Sequence, residues 1–283
     1  MNIRKYEKRK QRQKIIKEAI QSLVPHHTNE LISKAEKRRQ SYSKTGLHEN
    51  KTFETFIKSS ANEYPLAASL AVAEGSAKTS YNLLFIYGGV DLGKTHLLHA
   101  IGNKAYQKNL RVVYLTVEKF LFEMSKSIKK DKVERFRNRY KKYDVLLMDD
   151  IEHIAGKEKT QLEFFDIFHY LYKHGKQVVV ASNQLPKELK HVDEILISKL
   201  NSGLIVDIEP PDLEARIAIT KEITKVKEIN LSNDVCEWLA KEINNNIWDI
   251  EGAITKLGFH SKIANEEITL NLAKSLLINQ EGK

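Results

Sequence analysis

Five short apolar runs punctuate the middle of the chain, with amphipathic stretches between them. The runs are Leu83–Tyr87, Val112–Thr116, Val145–Asp149, Gln177–Ser182 and Leu204–Ile208. Their length and their aliphatic and aromatic content predict buried strands rather than helices. Thr95–Lys108, Val117–Lys129, Val133–Tyr140 and Gln161–His174 lie between them and carry apolar residues at helical spacing. Strands alternating with helices predict a parallel sheet covered on both faces. After Pro210-Pro211 the pattern turns all-helical, over Leu213–Val226, Asn233–Asn244, Asp249–Ile263 and Leu270–Leu277. The expected architecture is an α/β domain with a five-stranded parallel sheet, followed by a small all-helical domain.

The first fifty residues follow another pattern. Arg4 to Val24 reads as a helix, with Ile15, Ile16, Ala19, Ile20 and Leu23 recurring at helical spacing, and Pro25-His26-His27 ends it. A second short helix is expected from Asn29 to Tyr42, and Gly46 to Lys51 reads as a linker. Neither helix carries enough apolar surface to fold alone, which marks both as docking elements. The expected division is a basic helical arm over 1–50, an α/β domain over 51–209 and a helical domain over 210–283. Charge sharpens this division. The net charge is +9, and residues 1–50 hold 13 Lys/Arg against 5 Asp/Glu, whereas the rest hold 33 against 32. Such asymmetry suggests nucleic acid or an acidic partner surface, or else a solvated basic tail. The single Cys236 excludes an intramolecular disulfide and a Cys-rich metal site. No apolar run approaches 18 residues, so no membrane association is expected and a cytoplasmic location is.

Candidate chemistry begins where the first strand ends. Gly88-Gly89-Val90-Asp91-Leu92-Gly93-Lys94-Thr95 fits G-x-x-x-x-G-K-[ST], and His96 continues into an apolar helix. A strand before the motif and a helix after it are the context that a phosphate-binding loop requires, as opposed to an ordinary glycine turn. Its glycines let successive N–H groups and the helix N-terminus converge on phosphate oxygens. Lys94 would reach the terminal phosphates and Thr95 would ligate Mg²⁺. Asp91 is discordant, because it sets a carboxylate in a loop meant for a polyanion.

Some 55 residues on, Val145–Met148 leads into Asp149-Asp150. Strand ends in open α/β sheets face the ligand crevice. Asp149 would complete the Mg²⁺ shell and Asp150 orient an attacking water, although an acidic pair after a strand is also a common solvated turn. Asn183 ends another strand and could hydrogen-bond a terminal phosphate or the lytic water.

These residues resemble the AAA+ core of the bacterial DnaA replication initiators. The resemblance runs from Phe53-Glu54-Thr55-Phe56 through Leu84–Val90, Phe136–Tyr140 and Ala155–Glu158 to Pro210–Glu214 and Glu251-Gly252-Ala253. It implies an ATP- or ADP-binding, Mg²⁺-dependent AAA+ domain with a helical lid, acting in DNA replication initiation as a nucleotide switch and weak ATPase. Gly88, Gly93, Lys94 and Thr95 then match Walker A, Asp149 and Asp150 Walker B, and Asn183 sensor 1, while Asn62 falls near the adenine. Single-stranded DNA contacts fall on Lys157, Lys159, Thr160 and Ser125. The implied partners are single-stranded DNA and either a replicative helicase or DnaA itself, with a homo-oligomer left open. Three positions depart from the pattern. Asp91 replaces a glycine, Lys199 stands at the arginine finger with Ile195 at a neighbouring arginine, and Trp248 stands at the sensor 2 arginine. Lysine lacks the planar fork that grips phosphate oxygens, so binding is expected to outlast efficient hydrolysis. Trp248 would be either core or a stacking surface. The family's duplex-reading domain would begin where Lys283 ends the chain, so duplex binding by that route is not expected. Arg38–Leu47 faintly resembles the segment before the core of DnaC-type helicase loaders, which offers an alternative reading: a loader whose arm docks on the helicase. A non-hydrolysing regulator of DnaA is a third.

Overall fold

The computed structural model describes residues 40–75, 81–243 and 247–278. The two helices expected between Arg4 and Tyr42 lie outside the described residues, apart from 40–43, which are helical. Contacts divide the chain between Gly46 and Leu47. The sheet comprises β1 (Leu83–Gly88), β2 (Val112–Thr116), β3 (Val145–Asp149), β4 (Gln177–Ser182) and β5 (Leu204–Ile208). All pairings are parallel, in the order β2-β3-β4-β1-β5. Around it run α1 (Glu63–Gly75), α2 (Lys94–Gln107), α3 (Val117–Lys129), α4 (Val133–Tyr140), α5 (Glu158–Lys173) and α6 (Glu194–Asn201). The expected α/β class and five parallel strands are those observed.

Strand alternation sends Phe85, Leu146, Met148, Val178 and Val180 into one buried cluster with Phe120, Phe164 and Phe168 of α3 and α5. Alternate residues, among them Leu84, Ile86, Leu147 and Val179, face the other way and are equally buried. On that side α2 packs so closely that a Cβ on Gly102 would lie 2.7 Å from Leu147 Cδ1. A sheet buried on both faces explains the continuous apolar runs in the sequence. Local chemistry fixes several helix starts. Thr116 Oγ1 accepts from Lys119 N at the start of α3, and the Asp193 carboxylate accepts from the Ile195 and Leu196 N–H groups at α6. Side-chain oxygens there satisfy N–H groups that have no partner within the helix.

The all-helical stretch is α7 (Leu213–Val226), α8 (Asn233–Glu242), α9 (Ile247–Ala264) and α10 (Leu270–Ile278). Val235, Leu239, Ile250, Ile254 and Leu257 form its own buried cluster. Among the described residues, no helix is long and apolar enough to cross a membrane.

Several features depart from expectation, among them helices α1 and α6, which the apolar pattern does not mark. Helix α5 starts at Glu158, three residues before the expected Gln161, because its first turn, Glu158-Lys159-Thr160, is polar and gives no apolar signal. Residues 47–51, expected as a linker, are fastened to α2. Leu47 is only 9% exposed, and Asn103 Nδ2 donates to the carbonyls of His48 and Lys51, both at 2.9 Å. A Cβ on Gly102 would stand 2.4 Å from Leu47 Cδ2. Gly102→Ala should therefore overpack this contact and cost about 1–3 kcal/mol, read from the urea midpoint. An unchanged midpoint would mean that Leu47 does not sit there in solution.

Candidate functional site

Strand order brings the candidate residues together. The loop that leaves β1 lies beside the end of β4, with Tyr87 paired to Ser182, and β3 is next in line. Two of its glycines are sterically required. A Cβ on Gly88 would meet Ile208 O of β5 at 2.5 Å. Gly93, with φ of 99°, would press one to 2.9 Å from the Phe56 ring. Asp91 takes φ of 63°, a left-handed conformation that aspartate tolerates better than most residues but glycine better still. Helix α2 begins at Lys94, so its positive N-terminal end faces the loop.

Lys94 is 6% exposed. Its ammonium donates to Gly88 O at 2.9 Å and Gly89 O at 2.6 Å. Burial lowers its proton affinity, while Glu152, Asp149, Asp150 and Asp91 act to raise it. Four carboxylates, Asp91 from the loop and three from the end of β3 and the turn after it, thus act on this one cation. Val90 is exposed, Gly89 also, and Leu92 half-buried. His96 turns from the loop, its Nε2 2.9 Å from Thr52 O and its ring edge-on to Phe56.

Asp149 is 1% exposed, and three donors converge on it. Thr95 Oγ1 donates to Oδ2 at 2.7 Å, Tyr114 OH to the same oxygen at 2.8 Å, and Asp150 N to Oδ1 at 3.1 Å. Burial and the Asp149 charge push the Tyr114 phenol well above its ordinary value, so it stays a donor. The Tyr114 ring packs on His99, centroids 4.1 Å apart. His99 Nδ1 accepts from His48 N at 3.4 Å. Burial, aided by Lys51, holds the His99 imidazole down to about 3. Asp150 adopts φ of 56°, and its carboxyl is pushed up by burial, then by Asp149 and Glu152.

Asn183 is exposed, and both its backbone N–H and its side-chain amide donate to Glu152. Ser182 Oγ donates to the same carboxylate at 3.0 Å. Glu152 was not singled out by sequence reasoning; its only signal was a third acid closely following Asp149-Asp150. Asn62 spends its side chain locally, Nδ2 donating to Ile57 O and Oδ1 accepting from Ser59 N, both at 3.0 Å. Lys157 and Lys159 are exposed at the start of α5, and Ser125 is exposed on α3. Thr160 differs: it lies on the inner side of α5 and is 6% exposed. Lys199 is half-buried, its ammonium 5.9 Å from the Tyr172 ring centroid. Ile195 is exposed, and Trp248 is 63% exposed on α9, which rules out a core role.

Could Mg²⁺ be held here? A hydroxyl and a carboxylate in mutual contact form a hard oxygen pair suited to it, because Mg²⁺ keeps waters and phosphates as its other ligands. Among the described residues no group of three His, Cys, Asp or Glu side chains forms a complete protein metal cage.

A parallel sheet in this order, with a P-loop after β1 and an acidic pair after β3, defines an AAA+ ATPase-type domain followed by a helical lid. Residues 47–207 match the family model described as the bacterial DnaA ATPase domain. The solved domain III of the Thermotoga maritima replication initiation protein DnaA is 38% identical over 84% of this chain and 99% of that one, with a TM-score of 0.79. A replication initiator DnaA bound to AMPPCP and single-stranded DNA is 35% identical over 83% of this chain and 70% of that one, with a TM-score of 0.72. The chain belongs to the DnaA ATPase-domain family. A DnaC helicase loader, 19% identical over 56% of this chain and 97% of that one with a TM-score of 0.50, shares the fold alone.

The depressed His99 makes stability pH-dependent. Below about pH 6.5 the unfolded histidine takes up a proton that the folded one refuses, so the unfolded state binds more protons and stability falls as pH falls. His96, lowered mainly by burial, adds to the same trend. Between pH 6.5 and 5 the loss from His99 should be about 2 kcal/mol, measured by urea unfolding. A His99→Gln variant should flatten the profile, and an unchanged slope would assign the acid sensitivity elsewhere.

Proposed function

We propose that this domain binds ATP and ADP with Mg²⁺ at Gly88–Thr95 and acts as a nucleotide switch in bacterial DNA replication initiation, in the cytoplasm. The observation that carries the reading is the 2.7 Å contact between Thr95 and Asp149, which joins the phosphate loop to the acidic strand end. Lys94 would exchange the carbonyls of Gly88 and Gly89 for terminal phosphate oxygens. Thr95 and Asp149 would hold Mg²⁺, which when bound neutralises phosphate charge. Asp150 would orient an attacking water and Asn183 would donate to the terminal phosphate. Gly88, Gly89, Val90, Asp91, Leu92, Gly93 and His96 would frame the phosphates by backbone or proximity, and Asn62 would shape the base site through its turn. With lysine at position 199 and tryptophan at 248, turnover would be slow, since an arginine finger contributes on the order of 10³-fold or more.

Single-stranded DNA would lie across Lys157, Lys159 and Ser125, with Thr160 supporting the turn from inside. The DnaA relative solved with AMPPCP and single-stranded DNA supports both ligands. A replicative helicase or DnaA is the proposed protein partner, and a nucleotide-dependent homo-oligomer is consistent with the exposed Trp248 and Ile195.

Lys94→Ala should weaken Mg²⁺-ATP binding by at least tenfold in equilibrium titration; equal affinity would refute the P-loop reading. Asp91→Gly should tighten ATP binding, because it removes both a repulsive charge and an unfavourable φ. Equal or weaker binding would mean that the loop has adapted to its aspartate. Lys157→Ala/Lys159→Ala should weaken single-strand binding and reduce the logarithmic salt slope by about 1.4. An unaltered slope would remove that surface from the DNA path.

A further inference from the structure

The end of β4 is held by Glu152, a carboxylate to which the chemistry above gives no task. Its position is fixed by backbone. Asp150, with φ of 56°, reverses the chain into a 3₁₀ turn over Ile151–Ile154, and Ile151 and Ile154 are both fully buried. The turn therefore cannot swing without exposing two isoleucines. From it, Glu152 reaches over to β4. Oε2 accepts from Ser182 Oγ at 3.0 Å and from Asn183 N at 3.3 Å, and Oε1 accepts from Asn183 Nδ2. One N–H of the Asn183 amide, the group that would meet a terminal phosphate, is thus already committed to an anion.

We propose that Glu152 is a specificity-determining residue: it latches Asn183 and thereby penalises the γ-phosphate of ATP relative to ADP. The inference rests on the P-loop reading above. A γ-phosphate approaching Asn183 must compete with a carboxylate for one amide and stand beside a like charge. A diphosphate ends short of that contact and leaves the latch closed. Glu152 also lies among the carboxylates whose charge acts on Lys94.

Glu152→Gln tests this directly, because glutamine keeps the reach and shape and removes the charge. ATP and ADP affinities of the full chain would be measured in Mg²⁺ by equilibrium titration. ATP should tighten on the order of tenfold, while ADP stays within twofold and reports that the fold is intact. In an Asn183→Ala background the same substitution should gain no more than about threefold for ATP, because the latched amide is gone. Equal shifts for ATP and ADP, or no shift, overturn the assignment of Glu152 while leaving the P-loop reading standing. A full tenfold gain without the Asn183 amide overturns the latch. If the unsubstituted chain bound neither nucleotide, or if Lys94→Ala bound both as tightly, the P-loop reading itself would fail and carry this inference with it.

Discussion

Asp149 is almost inaccessible to solvent, and a carboxylate so placed is tolerable only because donors converge on it. Thr95, Tyr114 and the Asp150 N–H each come from a different part of the chain: the start of α2, the middle of β2, and the turn after β3. Satisfying this one group therefore fixes the loop after β1 against two strands that are not its neighbours in the sheet. The strand order β2-β3-β4-β1-β5 makes the convergence possible. Tyr114 in turn leans on His99, and His99 on the backbone of His48. A continuous set of contacts thus runs from the strap at 47–51 to the loop.

The same region holds more negative charge than its one lysine balances. Asp91, Asp149, Asp150 and Glu152 all act on Lys94. Burial of Asp150 beside Asp149 and Glu152 pushes its carboxyl up, a sign that the cluster is crowded with like charge. On the proposed reading, Mg²⁺ would offset part of the phosphate charge that these carboxylates repel. Nucleotide affinity would then depend on the cation more steeply than the loop motif alone suggests.

Much of this was legible in the chain. All five strands were expected within a residue of where they lie, because a doubly buried sheet writes itself as short apolar runs. The loop and the acidic pair were legible because spacing and strand context constrain them. What escaped was tertiary. Leu47 reads as part of a polar connection, and its burial depends on a notch that Gly102 leaves 55 residues away. Helix α1 is apolar around most of its circumference and so lacks the stripe that periodicity detects. Glu152 has no local partner, since its donors lie 30 residues on, at Ser182 and Asn183. The family resemblance alone places Thr160 among the DNA contacts, and helix geometry turns it inward.

The departures from the family pattern are unevenly distributed, and that unevenness bears on function. The pair that joins loop to strand, Thr95 and Asp149, is in direct contact. Asp91 is the departure inside the loop; the other two, which on the proposed reading would address the terminal phosphate from outside it, are Lys199, whose ammonium rests over Tyr172, and Trp248, which faces solvent. Glu152 belongs with them, because it occupies the amide that would otherwise serve that phosphate. On the proposed reading, the groups that would hold a nucleotide are in place, while those that would stabilise charge on a departing phosphoryl group are replaced or engaged elsewhere. Transition-state stabilisation needs such donors fixed in advance, whereas binding needs only the loop, the helix end and the metal pair. On that reading, the domain would be better suited to holding nucleotide as a state than to consuming it.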